Sequence, residues 1–354
     1  MRERRHVGIR DVARAAGVSI TTVSHALNEK GGVSEATRRR VREVATQLGY
    51  RPDPRGRQLA SGRTGLIALT VSMPGGVHAP VEDFAHNANL IDAATSTAIA
   101  RGLALVIVPA GEASIWDRLP LDGLIVVDPV PDDPAIRELG SGTPIVTIGK
   151  VPGGEVDTGV VDNDYAAGTA ALCDHLMASG ARRVGMLAPA SGESYELDSL
   201  TAYRTWCEHR GYEPWVHASE GIDWTSPETW AELESVGRAA AADCLARPDV
   251  PDAVYCLAES FALGLLAEAA ARGLRVPEDF MVASLADRGV AARSHPAITT
   301  LELFPRELGV AAAELLADLV EGVSRTEGPL VVPTAVAGRA STARELTMRT
   351  PEGG

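Results

Sequence analysis

The sequence predicts a small all-α headpiece of helix-turn-helix form, a short hinge, and an α/β body of two doubly wound parallel-sheet lobes. Three observations carry that expectation. Residues 9–28, IRDVARAAGVSITTVSHALN, show helical periodicity on both sides of a glycine bend. From residue 65 onward, short β-branched runs alternate with helical stretches, the rhythm of parallel strands joined by crossover helices. Charge divides the same way. Residues 1–63 carry 14 Lys and Arg against 6 Asp and Glu, a net of +8. The rest carries 19 against 41, a net of −22, within a chain of 354 residues and net charge −14. That remainder exceeds what one hydrophobic core commonly holds, hence two lobes.

In the headpiece, Ile9, Val12, Ala13 and Ala16 share one face of a first helix. Gly17 supplies the turn, because glycine tolerates positive φ. Val18 plugs the angle, and Ser19 suits the N-cap of a second helix. There Val23, Ala26 and Leu27 point inward and Ile20, Thr21, Thr22 and His25 remain outside. An ordinary α-hairpin with solvated threonines is the alternative. The next segment argues against it. Ser34 caps a third helix with Glu35 in its first turn, where the helix dipole favours an anion. Val41, Val44, Ala45 and Leu48 follow at helical spacing, with Arg38, Arg39, Arg40 and Arg42 on the same helix. In the linker from Tyr50 to Ala60, Asp53 can cap a one- or two-turn helix that begins at Pro54.

These motifs, DVA-x-x-AGVS, TVS-x-x-LN, VS-x-x-T-R, LGY-x-P and a hinge leucine, resemble the headpiece of the lactose-repressor (LacI/GalR) family of bacterial transcription regulators over residues 8–63. The resemblance implies that the second helix enters a DNA major groove. Ile20, Thr21 and His25 would then touch base edges, and Ser19, Thr22, Ser24 and Asn28 would mostly bond phosphates. Ile20 suits a thymine methyl and His25 a guanine acceptor. Arg57 joins the DNA contacts in the hinge. Leu59 occupies the position of the leucine that the family drives into the central base step, a wedge that kinks the duplex. A linker residue packed on the body is the alternative for Leu59. Gly56 departs from the pattern and costs about 1 kcal/mol of helix propensity, so this hinge should order less readily without DNA. A basic headpiece on an acidic body fits backbone binding that weakens with salt.

In the body, strands are expected at 65–71, 103–108, 123–127, 144–148, 182–188, 252–257 and 280–285, with helices at 82–101, 164–179, 228–247 and 260–272. Two such sheets leave a crevice at the C-terminal ends of their strands, the usual ligand position. VVDND, SGARRVGMLAP, the long PDAVYCLAESFALGLLAEAAARGLRVPEDFMVASLADRG unit, PAITTLELFPRELGVAAAELLADLVEG and VPTAVAGRAST extend the family resemblance through lobes that resemble periplasmic sugar-binding proteins. The expected organisation is 1–50 DNA-binding domain and 51–63 hinge. The N-terminal lobe takes 64–162 plus about 293–327, the C-terminal lobe 163–292 plus about 328–343, and 344–354 form a tail without the heptads of a tetramer-forming coiled coil.

The effector site departs from the family. Trp224 sits where an aromatic platform under a ligand is common, and the alternative is a packed lobe-edge tryptophan. Gly149 stands where an acidic residue is common and Ser199 where an arginine binds ligand. Ala258-Glu259 replaces Asn-Asp, and Ala286-Asp287 replaces a paired Asp-Asp. Several such losses argue against a pyranose bound in the familiar way, because a buried sugar needs partners for its hydroxyls. Two explanations stay open. One is a changed small molecule that uses Trp224, Glu259, Asp287 and His78, although His78 also fits a solvated Pro/Gly loop. The other is control by a partner protein, or by no ligand.

No GxSxG, GxxxxGK(S/T), HExxH or GxGxxG motif is present, so no enzyme and no cofactor are expected. SGESYELDS (191–199) fits a strand-to-helix loop, and Asp132-Asp133 a solvated Pro-rich turn. Cys173, Cys207, Cys244 and Cys256 lack metal-ligand spacing and are expected as buried free thiols. No apolar run suits a membrane span and no signal region follows the first residues, so a cytoplasmic protein is expected. The sequence therefore points to a homodimeric, operator-binding regulator, a repressor, controlled by a small-molecule effector. The alternative is a solute-sensing binding protein with a vestigial headpiece.

Overall fold

The computed structural model describes residues 7–27, 32–50, 62–74, 85–111, 115–116, 118–139, 142–153, 159–286, 289–323 and 328–344. The chain forms two compact units, Met1–Thr64 and Gly65–Gly354.

The first unit is three helices, α1 (Ile9–Ala16), α2 (Ile20–Leu27) and α3 (Glu35–Gln47). Gly17 ends α1 at φ 67°, and the Val18 N–H returns to the Ala13 carbonyl at 3.1 Å. Ser19 Oγ accepts from Thr22 N at 3.0 Å and so starts α2. Ser34 Oγ does the same for α3, from Thr37 N at 3.3 Å. Val12, Ala13, Ala16, Val23, Ala26, Val41 and Ala45 form the buried core. Leu48, expected on the apolar face, is the C-cap of α3 and is exposed.

The second unit holds two six-stranded sheets. In the first lobe, β1 (Leu66–Val71), β2 (Ala104–Ile107), β3 (Gly123–Val127), β4 (Ile145–Ile148), β5 (Gly159–Asn163) and β11 (Leu330–Val332) lie in the order β11-β5-β4-β3-β1-β2, all parallel. Helices α4 (Ala85–Ala100) and α5 (Pro134–Leu139) belong to this lobe, as does α11 (Pro305–Glu321), which packs along α4. The second lobe holds β6 (Val184–Ala188), β7 (Val216–Ala218), β8 (Ala253–Cys256), β9 (Met281–Leu285), β10 (Thr299–Glu302) and β12 (Ala335–Ala337), in the order β12-β10-β9-β8-β6-β7. Only the β10–β12 pair is antiparallel. Its helices are α6 (Tyr165–Ala178), α7 (Ser194–Arg210), α8 (Pro227–Ala231), α9 (Leu233–Ala246) and α10 (Glu259–Ala271). β3, β6, β8 and β9 are buried along their whole length, as expected for parallel strands covered on both faces.

Close helix contact tightens each lobe. A Cβ on Gly237 would lie 2.1 Å from the Ser260 carbonyl oxygen, and one on Gly264 would lie 2.2 Å from that of Gly237. Backbone therefore meets backbone between α9 and α10, which only glycine permits. The helix expected over 228–247 is two helices, interrupted at Glu232.

The chain crosses between lobes three times, and here the expected boundaries need correction. Thr299–Glu302, expected within the first lobe, pairs with β9 in the second. Leu330–Val332, expected in the second, pairs with β5 in the first. Sequence periodicity over three or four residues does not tell which sheet edge a strand joins; hydrogen bonding decides it. The crossings follow β5, β10 and β11, and one side chain joins them. Asn163 Nδ2, at the end of β5, donates to the carbonyl oxygens of Leu303 (3.0 Å) and Val332 (3.4 Å). The Asp164 N–H also donates to the Val332 carbonyl at 3.0 Å.

Asn163→Ala should destabilise the body by about 1–3 kcal/mol, the usual cost of leaving buried polar groups unpaired. Thermal unfolding measures this, and an unchanged midpoint would show that the crossings hold without the amide.

Candidate functional site

Two surfaces carry the chemistry, one on each unit. On the first, α2 is anchored through buried Val23 and Ala26, so its N-terminal end faces outward. Ser19, Ile20 and Thr21 are exposed, Ile20 at 44 %, and so are open to a partner. Thr22, Ser24 and His25 are half-buried on the same helix. Ser19 and Thr22 are also bonded to each other, Oγ to Oγ1 at 2.8 Å. Arg39 and Arg40 are exposed on α3. Asn28, Arg57 and Leu59 lie outside the described residues.

On the second unit, each sheet reverses its strand order at a switch point, β1/β3 in the first lobe and β6/β8 in the second. Segments leaving adjacent strands there diverge to opposite faces and open a crevice. A cavity of about 590 Å³ occupies that position and takes residues from both lobes. The first lobe supplies Val71, Ser72 and Met73 after β1, His86 and Asn87 from α4, and Asp128 after β3. The second supplies Pro189 and Ser191 after β6, Leu257 and Ala258 after β8, and Leu285 and Ala286 after β9, walled by Tyr165, Tyr195, Trp224, Trp230 and Leu263. Asp128, Ala190 and Ala286, each just beyond a strand end, adopt positive φ of 49°, 55° and 59°. Non-glycine residues in this region are strained, and such strain gathers at functional sites.

Of the sequence candidates, Trp224 and Glu259 line the cavity, whereas Asp287 and His78 lie outside the described residues. Trp224 satisfies both of its readings. It is 9 % exposed, packs in the second-lobe core, and lines the crevice. Its Nε1 donates to the Pro189 carbonyl at 3.0 Å, and its ring lies 5.5 Å from that of Trp230 at 58°. Trp230 Nε1 in turn donates to the Trp224 carbonyl at 2.9 Å. Glu259 turns its Oε1 to the backbone beyond β9, accepting from Ala291 N at 2.8 Å and Val290 N at 3.3 Å. Ser199 is fully buried in α7 and does not line the cavity.

Two carboxylates organise the loops around the cavity. Glu196 accepts from the N–H groups of Ala190, Ser191 and Gly192 at 2.8–3.0 Å, and it does so from within α7, so only 191–193 of the expected loop over 191–199 is loop and 194–199 is the first part of the helix. Asp133 corrects the expected solvated turn. It is 3 % exposed, accepts from Ser72 Oγ at 2.5 Å and from Ala135 N at 3.0 Å, and fixes the start of α5 to the end of β1. The reason is positional: an Asp before a Pro-initiated helix caps it, and this helix begins inside the core.

Tyr165, Asp128, Tyr195 and Trp230 line the cavity although the sequence analysis did not single them out. Asp128 ends GLIVVD and Tyr165 follows VVDND, so the strand-end rule could have found both. Trp230, six residues beyond Trp224, carried no signal. All four cysteines are buried and free, and burial pushes the Cys173 thiol well above its ordinary value. No group of three or more metal-ligating side chains occurs among the described residues. Nor does any of their helices have the length and apolarity to cross a membrane.

The comparisons agree with this geometry. Residues 8–53 match the pattern described as "Bacterial regulatory proteins, lacI family", and residues 173–342 match the "Periplasmic binding protein-like domain". The HTH-type transcriptional regulator CelR of Thermobifida fusca is 29 % identical over 351 residues, 96 % of this chain and 100 % of its own. The two matched segments are thus a lacI-type headpiece and a periplasmic-binding-protein-like body. The HTH-type transcriptional repressor PurR of Photobacterium profundum is 28 % identical over 328 residues, 88 % of this chain and 92 % of that one. Among solved structures, the transcriptional regulator CelR–cellobiose complex aligns with a TM-score of 0.67 at 27 % identity, covering 95 % of this chain and 99 % of that one. A lac repressor dimer bound to operator and the anti-inducer ONPF shares the fold at a TM-score of 0.73 and 24 % identity, covering 96 % of this chain and 100 % of that one. With that headpiece and body, this chain is a DNA-binding transcriptional regulator whose body has the effector-domain fold.

An ion pair spans the lobes beside the crossings. Lys150 Nζ, after β4, lies 2.5 Å from Asp198 Oδ2 on α7 and 4.0 Å from Asp162 Oδ2 on β5. Burial pushes the Asp162 carboxyl up to about 6, against the Asn163 N–H bond and the Lys150 charge, while Asp198 adds to the rise. The folded-state value thus lies above the ordinary 3.8. Protonation favours the fold, so this stabilisation is complete below about pH 4 and lost as the pH rises through about 6. Asp162→Asn should raise the thermal midpoint near pH 7.5 and leave it unchanged near pH 4, flattening the profile between. A lower midpoint near pH 7.5 would show instead that the carboxylate's charge is needed by Lys150.

Proposed function

We propose that this chain is a transcriptional repressor that binds a roughly palindromic operator as a homodimer, with its affinity set by a small molecule held between the lobes of the body. The observation that carries the DNA half is α2, whose buried Val23 and Ala26 leave Ser19, Ile20 and Thr21 outward. Ile20, Thr21 and His25 take base edges, and Ser19, Thr22, Ser24 and Asn28 take phosphates. One such helix makes few base contacts, so two headpieces are needed. In the hinge, Arg57 adds a backbone contact and Leu59 wedges a base step. The effector half is supported by the cavity at both switch points, with Trp224 and Glu259 in its lining; Asp287 and His78, outside the described residues, are proposed as further ligand contacts. Named relatives act in the same sense: PurR is described as a repressor, and CelR is seen with cellobiose. The protein acts in the cytoplasm, where its DNA lies.

Selection from random DNA with the full-length protein should enrich a symmetric site, whose binding weakens as salt rises. Equal binding to all sequences would overturn the proposal. Ile20→Ala and His25→Ala should each relax base preference at one position of each half-site by about 1–3 kcal/mol while leaving the headpiece folded, since neither belongs to its buried core. Leu59→Ala should weaken the specific complex and reduce its DNA bend; an unchanged bend would remove the wedge role.

A further inference from the structure

The crevice differs in chemistry from a site built for a polyhydroxylated ligand. At the strand ends of the second lobe, where directional polar groups would meet a ligand, stand Leu257-Ala258 and Leu285-Ala286. The two indoles on this wall have turned their N–H groups inward, to the Pro189 and Trp224 carbonyls, so ring carbon faces the cavity. Three further polar groups of the lining are engaged by the protein. Ser72 Oγ is bound to Asp133, Ser191 Oγ to Glu196, and the Glu259 carboxylate to the Val290 and Ala291 N–H groups. Each ring hydroxyl of a sugar placed against this wall would give up water without a replacement partner. Charge narrows the class further. Among the described residues, Asp128, Glu193, Glu234 and Glu259 line the cavity against the guanidinium of Arg238 and the imidazole of His86. An anion would meet a net negative wall, and a cation the reverse.

We propose that the effector is a flat, largely apolar aromatic molecule, neutral or cationic, rather than a saccharide or an organic anion. The volume of about 590 Å³ suits one molecule of that kind, since ligand cavities commonly run from about 300 to 1,000 Å³. The aromatic pair Trp224–Trp230 supplies the stacking face and Leu263 a further apolar contact. The inference rests on the crevice being the effector site. It departs from the cellobiose seen with CelR, because among the described residues the strand ends of β8 and β9 present Leu257-Ala258 and Leu285-Ala286 to the cavity.

Calorimetry on the full-length protein tests this with three probes: tryptamine, indole-3-acetate and cellobiose. Tryptamine should bind saturably, at least tenfold tighter than indole-3-acetate, and cellobiose should show no saturable binding. Leu263→Gln should weaken tryptamine at least tenfold, while Leu263→Met, of like volume and apolarity, should retain it. Circular dichroism confirms that both variants fold. Cellobiose binding that is lost in Leu263→Gln would overturn the ligand class while leaving the crevice as the effector site. Tryptamine binding indifferent to Leu263→Gln would overturn the crevice itself. Equal affinity for indole-3-acetate would overturn the charge preference, and binding of none of the probes would reject the proposal.

Discussion

The body depends on a single amide. Asn163 ends β5 where the chain first leaves the first lobe, and its Nδ2 bonds the carbonyls of Leu303 and Val332, where the chain returns and leaves again. Three separate segments therefore move about one buried point. A buried side chain bonded to two segments in that place resists sliding of one past another, because the move would cost both bonds and strand the Leu303 carbonyl. Rotation of the lobes is the motion that such a tie leaves open.

The crevice lies on the far side of that constraint and inherits its geometry from topology. Both sheets follow the same winding, so the gaps at β1/β3 and β6/β8 face one cavity. Its walls come from both lobes, so a ligand that touches both favours whichever lobe arrangement it binds more tightly. The Lys150–Asp198 pair adds a second contact between the lobes, half-exposed and hence of modest strength, with the buried Asp162 behind it.

Much of this was legible in the sequence, and the exceptions share a cause. The headpiece was readable because its determinants are local: Gly17 must take positive φ, Ser19 and Ser34 must cap, and Val12, Ala16, Val23 and Val41 must face one another. The central strands were readable because burial on both faces writes them as apolar runs. Strands β10 and β11 went to the wrong lobe because three or four residues carry no mark of their partner. Asp133 looked like a turn residue because the Ser72 that fills its second bond lies 61 positions away. Trp230 and Tyr195 gave no signal because a residue becomes part of a cavity only when distant segments converge.

By itself, then, the sequence determined the recognition helix, the two-lobed α/β plan, the division of charge and the loss of polar residues from the crevice. These follow from capping, periodicity, charge and residue type, which act between neighbours in the chain. Tertiary structure decided where the crossings run, what ties them, and what the crevice presents to a ligand. The indole N–H groups of Trp224 and Trp230 could face a ligand or the backbone on sequence grounds alone. Only the fold, by bringing the Pro189 carbonyl within 3.0 Å of the first, turned them inward and left the wall apolar.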